Sequence, residues 1–317
     1  YGINSNRLSC ILKSRDGVVW ISSYDNGVNL YSYKTQRFSQ LLHYVDYEKS
    51  EYAGYSTFSL CELPDGKILI GTENNGILEY EPGKNAIKRI LPELANVSVF
   101  DLQLEGNMVW VSTWINGFYR YDFQNKILTP VSHIHGSKIQ SWQMPVHFLH
   151  DSKNRYWLGG ITTGLTMIDA EKGRTHYFYY IDKDSTSLLD NTVYRIFEDG
   201  YGHIWIGTSK GLHLYDDIRN SFKRIIFSDA SGKPVASGVM VMDIFEDQKK
   251  QLWVGSSRTL HQLNRRTLKT KAFSHKNKGI YLSVAKIFED NKQHLWLATN
   301  YGIYRFNSET AQFKEYS

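Results

Sequence analysis

Proline and cysteine are scarce in this chain, at six and two of 317 residues. The two cysteines, Cys10 and Cys61, fit neither a metal-knuckle spacing nor a disulfide-dense scaffold, and they read as small buried fillers rather than a bridge. No apolar run approaches the ~20 residues that a membrane-crossing helix needs. No segment keeps an apolar period of 3.6, so helices should be almost absent. The formal charge of +5 comes from Lys and Arg scattered along the chain rather than from a basic block. That removes the footprint of a nucleic-acid-binding protein and leaves only a mild preference for anionic partners. The first residues, YGINSNRLSC, lack the charged start and apolar core of a secretion signal, so an exported protein would carry this chain as a processed or excised piece. A Gly-rich phosphate loop, a nucleophile elbow and an HExxH motif are all missing. Aromatic residues, in contrast, are abundant, with 22 tyrosines among them.

The aromatics recur in a pattern. The segment IWIGT around Trp205 returns as VVWISS at Trp20, MVWVST at Trp110, RYWLGG at Trp157, QLWVGS at Trp253 and HLWLAT at Trp296, and KILIGT supplies a seventh copy with Leu69 in the Trp position. Steps between these anchors run from 41 to 49 residues with a mean of 46, which marks a repeat architecture. Each copy reads as four short strands: VYRIF, an acidic or Gly-containing turn, IWIG, a Gly turn, LHLYD, and a weaker segment such as SFKRI. Consecutive apolar residues in IWI mean that both strand faces are covered, so sheets must pack on sheets. The residue after each apolar triplet is always small: Ser22, Gly71, Ser112, Gly159, Gly207, Gly255 or Ala298. Crowding of neighbouring backbones explains that restriction. Gly opens the third strand in six copies, with Thr259 as the exception.

These features predict an all-β fold, a seven-bladed β-propeller with four antiparallel strands per blade and a single domain over 1–317. The expected blade cores lie near 5–42, 56–91, 97–131, 144–180, 192–227, 240–274 and 283–316. A β-solenoid is the competing architecture. It needs polar capping repeats at its ends, and the first and last copies are ordinary ones.

The composite repeat, N-x-V-x-x-I-x-E-D-x-x-G-x-[IL]-W-[IV]-G-T-x-x-G-[LI]-x-x-Y-[DN], resembles the two-component regulator propeller repeat. Blade five carries the match through Asn191, Val193, Ile196, Glu198, Asp199, Gly202, Trp205, Gly207, Thr208, Gly211, Leu212, Tyr215 and Asp216. Blade two lacks the Trp, blade three has Leu104 and Glu105 in place of the acidic pair, and blade six lacks the turn Gly. The resemblance implies the periplasmic sensor of a hybrid two-component system, the excised soluble part of an inner-membrane protein. In such receptors two propellers precede an immunoglobulin-like module, a membrane helix, a histidine kinase and a response regulator. Neighbouring domains, and a second receptor copy in a homodimer, are then the expected partners. Nothing in this chain resembles a kinase or receiver segment, so that output would lie elsewhere.

Up-and-down strands put the turns between second and third strands on the same face as the linkers between blades. That face collects Tyr24, Asn26, Asn74, Asn116, Lys210, Arg258 and Tyr301, together with Trp114 and Trp142, which stand outside the repeating Trp position. Aromatic rings, amides and a few cations suit a sugar oligomer, because rings stack on its apolar faces and planar polar groups bracket its hydroxyls. For the Asn residues turn geometry is the favoured reading. The two tryptophans serve ligand stacking or burial against a second propeller.

A second constellation lies on the first strands, where the polar position of V-x-x-I is Cys10, Ser59, Asp101, His147, Arg195, Asp243 and Lys286 in turn. The innermost strand lines a propeller's axis, so Asp101, His147, Arg195, Asp243 and Lys286 are expected in a central channel, where their mixed signs favour mutual pairing. His133, His135, His147 and His150 invite a metal reading, but strand alternation turns the last two to opposite faces, so no metal site and no cofactor are expected. Asp151, Asp199, Asp247 and Asp290 each sit in a turn and should hold turn amides rather than act in catalysis.

The resulting expectation is a non-catalytic, ligand-sensing propeller that recognises an oligosaccharide from polysaccharide breakdown. A metal-dependent propeller lyase, with His133 or His135 in its site, and a protein-interaction scaffold are the alternatives.

Overall fold

The computed structural model describes residues 3, 5–32, 35, 37–41, 56–114, 116–139, 145–235, 238–275 and 282–316. It is a seven-bladed β-propeller: seven four-stranded antiparallel sheets, each with its strands side by side in chain order. A two-stranded hairpin, His133–Ile134 against Ser137–Lys138, is added between the third and fourth sheets in the chain. Among the described residues the only helical segments are two single turns, Pro82–Lys84 and Pro92–Leu94.

Blade five shows why the repeat folds this way. Its strands are Val193–Glu198, Ile204–Thr208, Gly211–Asp216 and Ser221–Ile225. Every residue of the second strand is buried, because neighbouring sheets cover both of its faces. Apolar cores accordingly form between successive blades. Trp157, Leu165 and Met167 of blade four pack with Val193, Ile196 and Ile206 of blade five, and Trp205 and Leu212 of blade five pack with Val241, Ile244 and Val254 of blade six. Close approach also fixes the small residue after the triplet. A Cβ on Gly207 would stand 2.6 Å from a methyl of Val241, the residue that opens the next blade.

The acidic pair of the repeat has two separate tasks. Its glutamate reaches back to the preceding blade and accepts a turn amide: Glu62 from Arg15, Glu198 from Ser152, Glu246 from Gly200 and Glu289 from Gln248, at 2.8–3.0 Å. Its aspartate closes the turn of its own blade and accepts the indole N–H six residues on. Asp151 takes Trp157 at 2.7 Å, Asp199 takes Trp205 at 2.9 Å and Asp247 takes Trp253 at 2.8 Å. Ser14 serves Trp20 in the same way, and Glu105 serves Trp110. In blade two both partners change together, and Leu63 and Leu69 meet in an apolar cluster instead.

The first strand of each blade carries a β-bulge near its start in blades one to six. The extra residues are Ser9, Phe58, Phe100, Val146, Tyr194 and Met242, each directly before the polar position expected at the axis. A bulge interrupts the two-residue alternation and re-aims one side chain.

The chain divides into two compact units. One comprises residues 1–130, 296–306 and 312–317, and the other 131–295 and 307–311.

Candidate functional site

In the first unit an aromatic row runs across three blades. Trp114, in the turn after the second strand of blade three, stacks on Phe100 with ring centroids 5.2 Å apart. Phe100 stacks on Phe58 of blade two at 4.6 Å, and Phe58 faces Tyr24 of blade one at 6.0 Å. The Arg7 guanidinium closes the row, 5.9 Å over the Tyr24 ring. Phe58 and Phe100 are bulge residues, so the irregularity that displaces them from the inter-blade core delivers them to this row. Trp114 is 40% exposed and Tyr24 36%, which leaves large ring surface open to solvent at both ends. Backbone bonds lock the row in place: Tyr24 N donates to Arg7 O and Trp114 N to Ser98 O, both at 2.9 Å.

The remaining turn residues singled out in the sequence are placed as follows. Asn74 has a left-handed backbone (φ 54°), its N–H donates to Ser98 Oγ at 3.0 Å, and its Oδ1 accepts from the same hydroxyl. Asn26 N donates to Ser23 Oγ, and Asn116 N to the Trp114 carbonyl, so both brace their turns. Tyr301 stands exposed, with its amide on Thr299 Oγ1. In the second unit Lys210 pairs with Asp190 at 3.1 Å and lies over the Tyr180 ring, while Arg258 N caps Ser256 Oγ. Trp142 lies outside the described residues.

The polar positions of the first strands stand opposite the small residues in the strand register, as Cys10 opposite Ser22, Asp101 opposite Ser112, His147 opposite Gly159, Arg195 opposite Gly207 and Asp243 opposite Gly255. In the first unit Asp101 Oδ2 accepts from Gln103 at 2.6 Å. Burial, with help from the Asp101 charge, pushes the Cys61 thiol up to about 12, which keeps it an inert thiol. Neither cysteine is in a disulfide. In the second unit His147, Arg195, Asp243 and Lys286 form one connected set.

The histidines do not converge. His135 Nε2 meets the Tyr156 hydroxyl at 3.1 Å, His150 stacks on the same Tyr156 ring at 4.0 Å, and His133 Nδ1 meets Ser132 Oγ. Among the described residues no three His, Cys, Asp or Glu side chains come together as a metal site would require.

Residues 187–210 match the family model described as two component regulator propeller. No curated protein matches. Among solved structures, the chain resembles the extracellular domain assigned to the hybrid two component system BT3049 of B. thetaiotaomicron, at 18% identity and a TM-score of 0.75, over 97% of this chain and 41% of that one. PorZ, a surface component of the type IX secretion system of Porphyromonas gingivalis, matches at 16% identity and a TM-score of 0.68, over 96% of this chain and 46% of that one. The virginiamycin B lyase of Staphylococcus aureus matches at 13% identity and a TM-score of 0.67, over 94% and 93%. At these identities the likeness is one of fold, shared by an extracellular domain of a two component system, a secretion component and a lyase alike. The chain spans less than half the length of the first two. No helix among the described residues is long and apolar enough to cross a membrane.

Proposed function

We propose that this chain is the ligand-sensing propeller of a periplasmic two-component receptor and that it binds an oligosaccharide on the aromatic row of its first unit. The observation that carries the reading is the stack Tyr24–Phe58–Phe100–Trp114, built from turn and bulge positions that the blade core does not need. Planar rings with open faces match the apolar faces of a pyranose chain, and Arg7 at one end supplies hydrogen-bond donors for its hydroxyls. The repeat at residues 187–210 supports the receptor context. In that context a neighbouring propeller, an immunoglobulin-like module and a second receptor copy are the partners, and the kinase is outside this chain. A ligand drives signalling only if it binds one arrangement of the receptor better than another.

The test is calorimetric titration of oligosaccharides from several polysaccharides into the native protein and into Trp114→Ala and Phe100→Ala. The expected result is saturable binding of one oligosaccharide class that weakens about tenfold with each lost ring, in line with roughly 1.4 kcal/mol per tenfold. Undiminished binding in both variants would remove the aromatic row from the function.

A further inference from the structure

The first strands of blades four to seven each contribute one polar residue to a single cluster in the second unit. Arg195 Nε and Lys286 Nζ lie 3.0 and 3.2 Å from the same oxygen, Asp243 Oδ1. The other oxygen, Oδ2, accepts from Ile287 N at 2.9 Å. Arg195 Nη1 donates to His147 Nε2 at 2.6 Å, which requires an unprotonated nitrogen there. Burial, reinforced by the Arg195 and Lys286 charges, holds His147 well below the usual histidine range, so the imidazole adds no charge.

Two cations therefore share one carboxylate, which accepts hydrogen bonds from Lys286 Nζ and Ile287 N. The cluster carries one positive charge in excess within its unit. Asp243 is buried, whereas the side chains of Arg195 and Lys286 keep 22% and 24% of their surface. Arg195 Nε is buried and finds no aligned hydrogen-bond acceptor despite its short distance to Asp243. A partly buried cation in excess of its counter-ion is costly, and an incoming anion removes that cost. Tyr194, the bulge residue directly before Arg195, is exposed.

We propose that Arg195 and Lys286 form a binding site for one small carboxylate, either free or borne by an acidic sugar. The site shares no residue with the aromatic row, so either can fail without the other.

Melting temperatures measured in chloride-free buffer, with methanesulfonate holding the ionic strength constant, test the site with acetate, glucuronate and glucose. A saturable rise on the order of 3 °C at about ten times the dissociation constant is expected for a carboxylate, and none for glucose. Equal responses to acetate and glucuronate assign the site to free carboxylates, and a response to glucuronate alone assigns it to acidic sugars. Arg195→Gln and Lys286→Met should each weaken binding about tenfold or more, while Lys223→Met, on an exposed outer strand, should leave it unchanged. Asp243→Asn releases both cations and should make the melting temperature more dependent on carboxylate than in the native protein. If Arg195→Gln fails to fold, Lys286→Met and Asp243→Asn decide. No saturable shift in the native protein, an equal shift with glucose, or responses in Lys286→Met and Asp243→Asn that match the native one would overturn the proposal.

Discussion

His213 and His261 occupy the same place in blades five and six, opposite Ile206 and Val254 in the strand register, and they differ in one respect. His213 is bonded on both sides, Nδ1 to the Ile206 carbonyl at 3.1 Å and Nε2 accepting from Leu189 N at 2.9 Å. Both ring nitrogens of His261 are buried without a hydrogen-bond partner. The two histidines should therefore answer opposite ways to the same change. His213→Phe removes the partner of a half-buried amide and of a buried carbonyl and should cost about 1–3 kcal/mol in chemical denaturation, whereas His261→Phe removes two unsatisfied atoms and should be neutral or mildly stabilising. Equal losses in both would show that ring shape, not hydrogen bonding, sets the cost. The Asp–Trp pair makes a parallel case. Asp199→Leu alone strands the donors of Trp205, Arg265 and two turn amides and should cost about 3 kcal/mol or more. The double variant Asp199→Leu/Trp205→Leu should lose less than the two single losses added, because Leu63 and Leu69 already realise that exchange in blade two. A strictly additive cycle would remove the coupling.

At the scale of strands and turns, the repeating glutamate ties one blade's turn to the next. Glu198 accepts from both the amide and the hydroxyl of Ser152. Glu198→Ala should lower the urea midpoint by the equivalent of about 1–2 kcal/mol without changing the slope, and a changed slope would mean loss of cooperative unfolding instead. This tier was partly legible in the sequence. The small residue after IWI, the turn Gly and the turn-closing aspartate were readable because each answers a local requirement that recurs from blade to blade. Gly211 departs from the others, since its φ is not positive as it is at Gly27, Gly76, Gly117, Gly164 and Gly302. It is small because Leu189 approaches within 2.5 Å of where a Cβ would stand. The glutamate's partner was not legible, since it lies some 46 residues away in Glu198 and in Glu246 and on another sheet. Phe58 and Phe100 were missed for a different reason. Alternation along a regular strand counts them as wall residues, and only the bulge shows otherwise. Their shared aromatic character at one repeat position was the available signal.

For the whole molecule, three buried histidines, His147, His213 and His261, all titrate below the ordinary value, His213 and His261 at about 4 and each chiefly because of burial. The unfolded chain takes up their protons first as the pH drops. Stability from these groups is thus complete above pH 6.5 and lost as the pH falls, for His213 and His261 toward pH 4 and by up to about 3 kcal/mol each. The melting temperature should be flat from neutrality to about pH 6.5 and fall below it, and His261→Phe should shallow that fall; a variant that follows the native curve would exclude His261 as a contributor. The seven-bladed fold was legible at this scale because a repeat states its own period, but the aromatic row was not, since bulges and turns rather than the period place its residues.

The extra residue near the start of the first strand in blades one to six has an evolutionary corollary. It is a position whose side chain the interlocking of sheets does not dictate: serine, phenylalanine, valine, tyrosine and methionine all occur there within one polypeptide. Relatives built on the same plan can alter what they recognise by substituting at these sites one at a time, without renegotiating the scaffold.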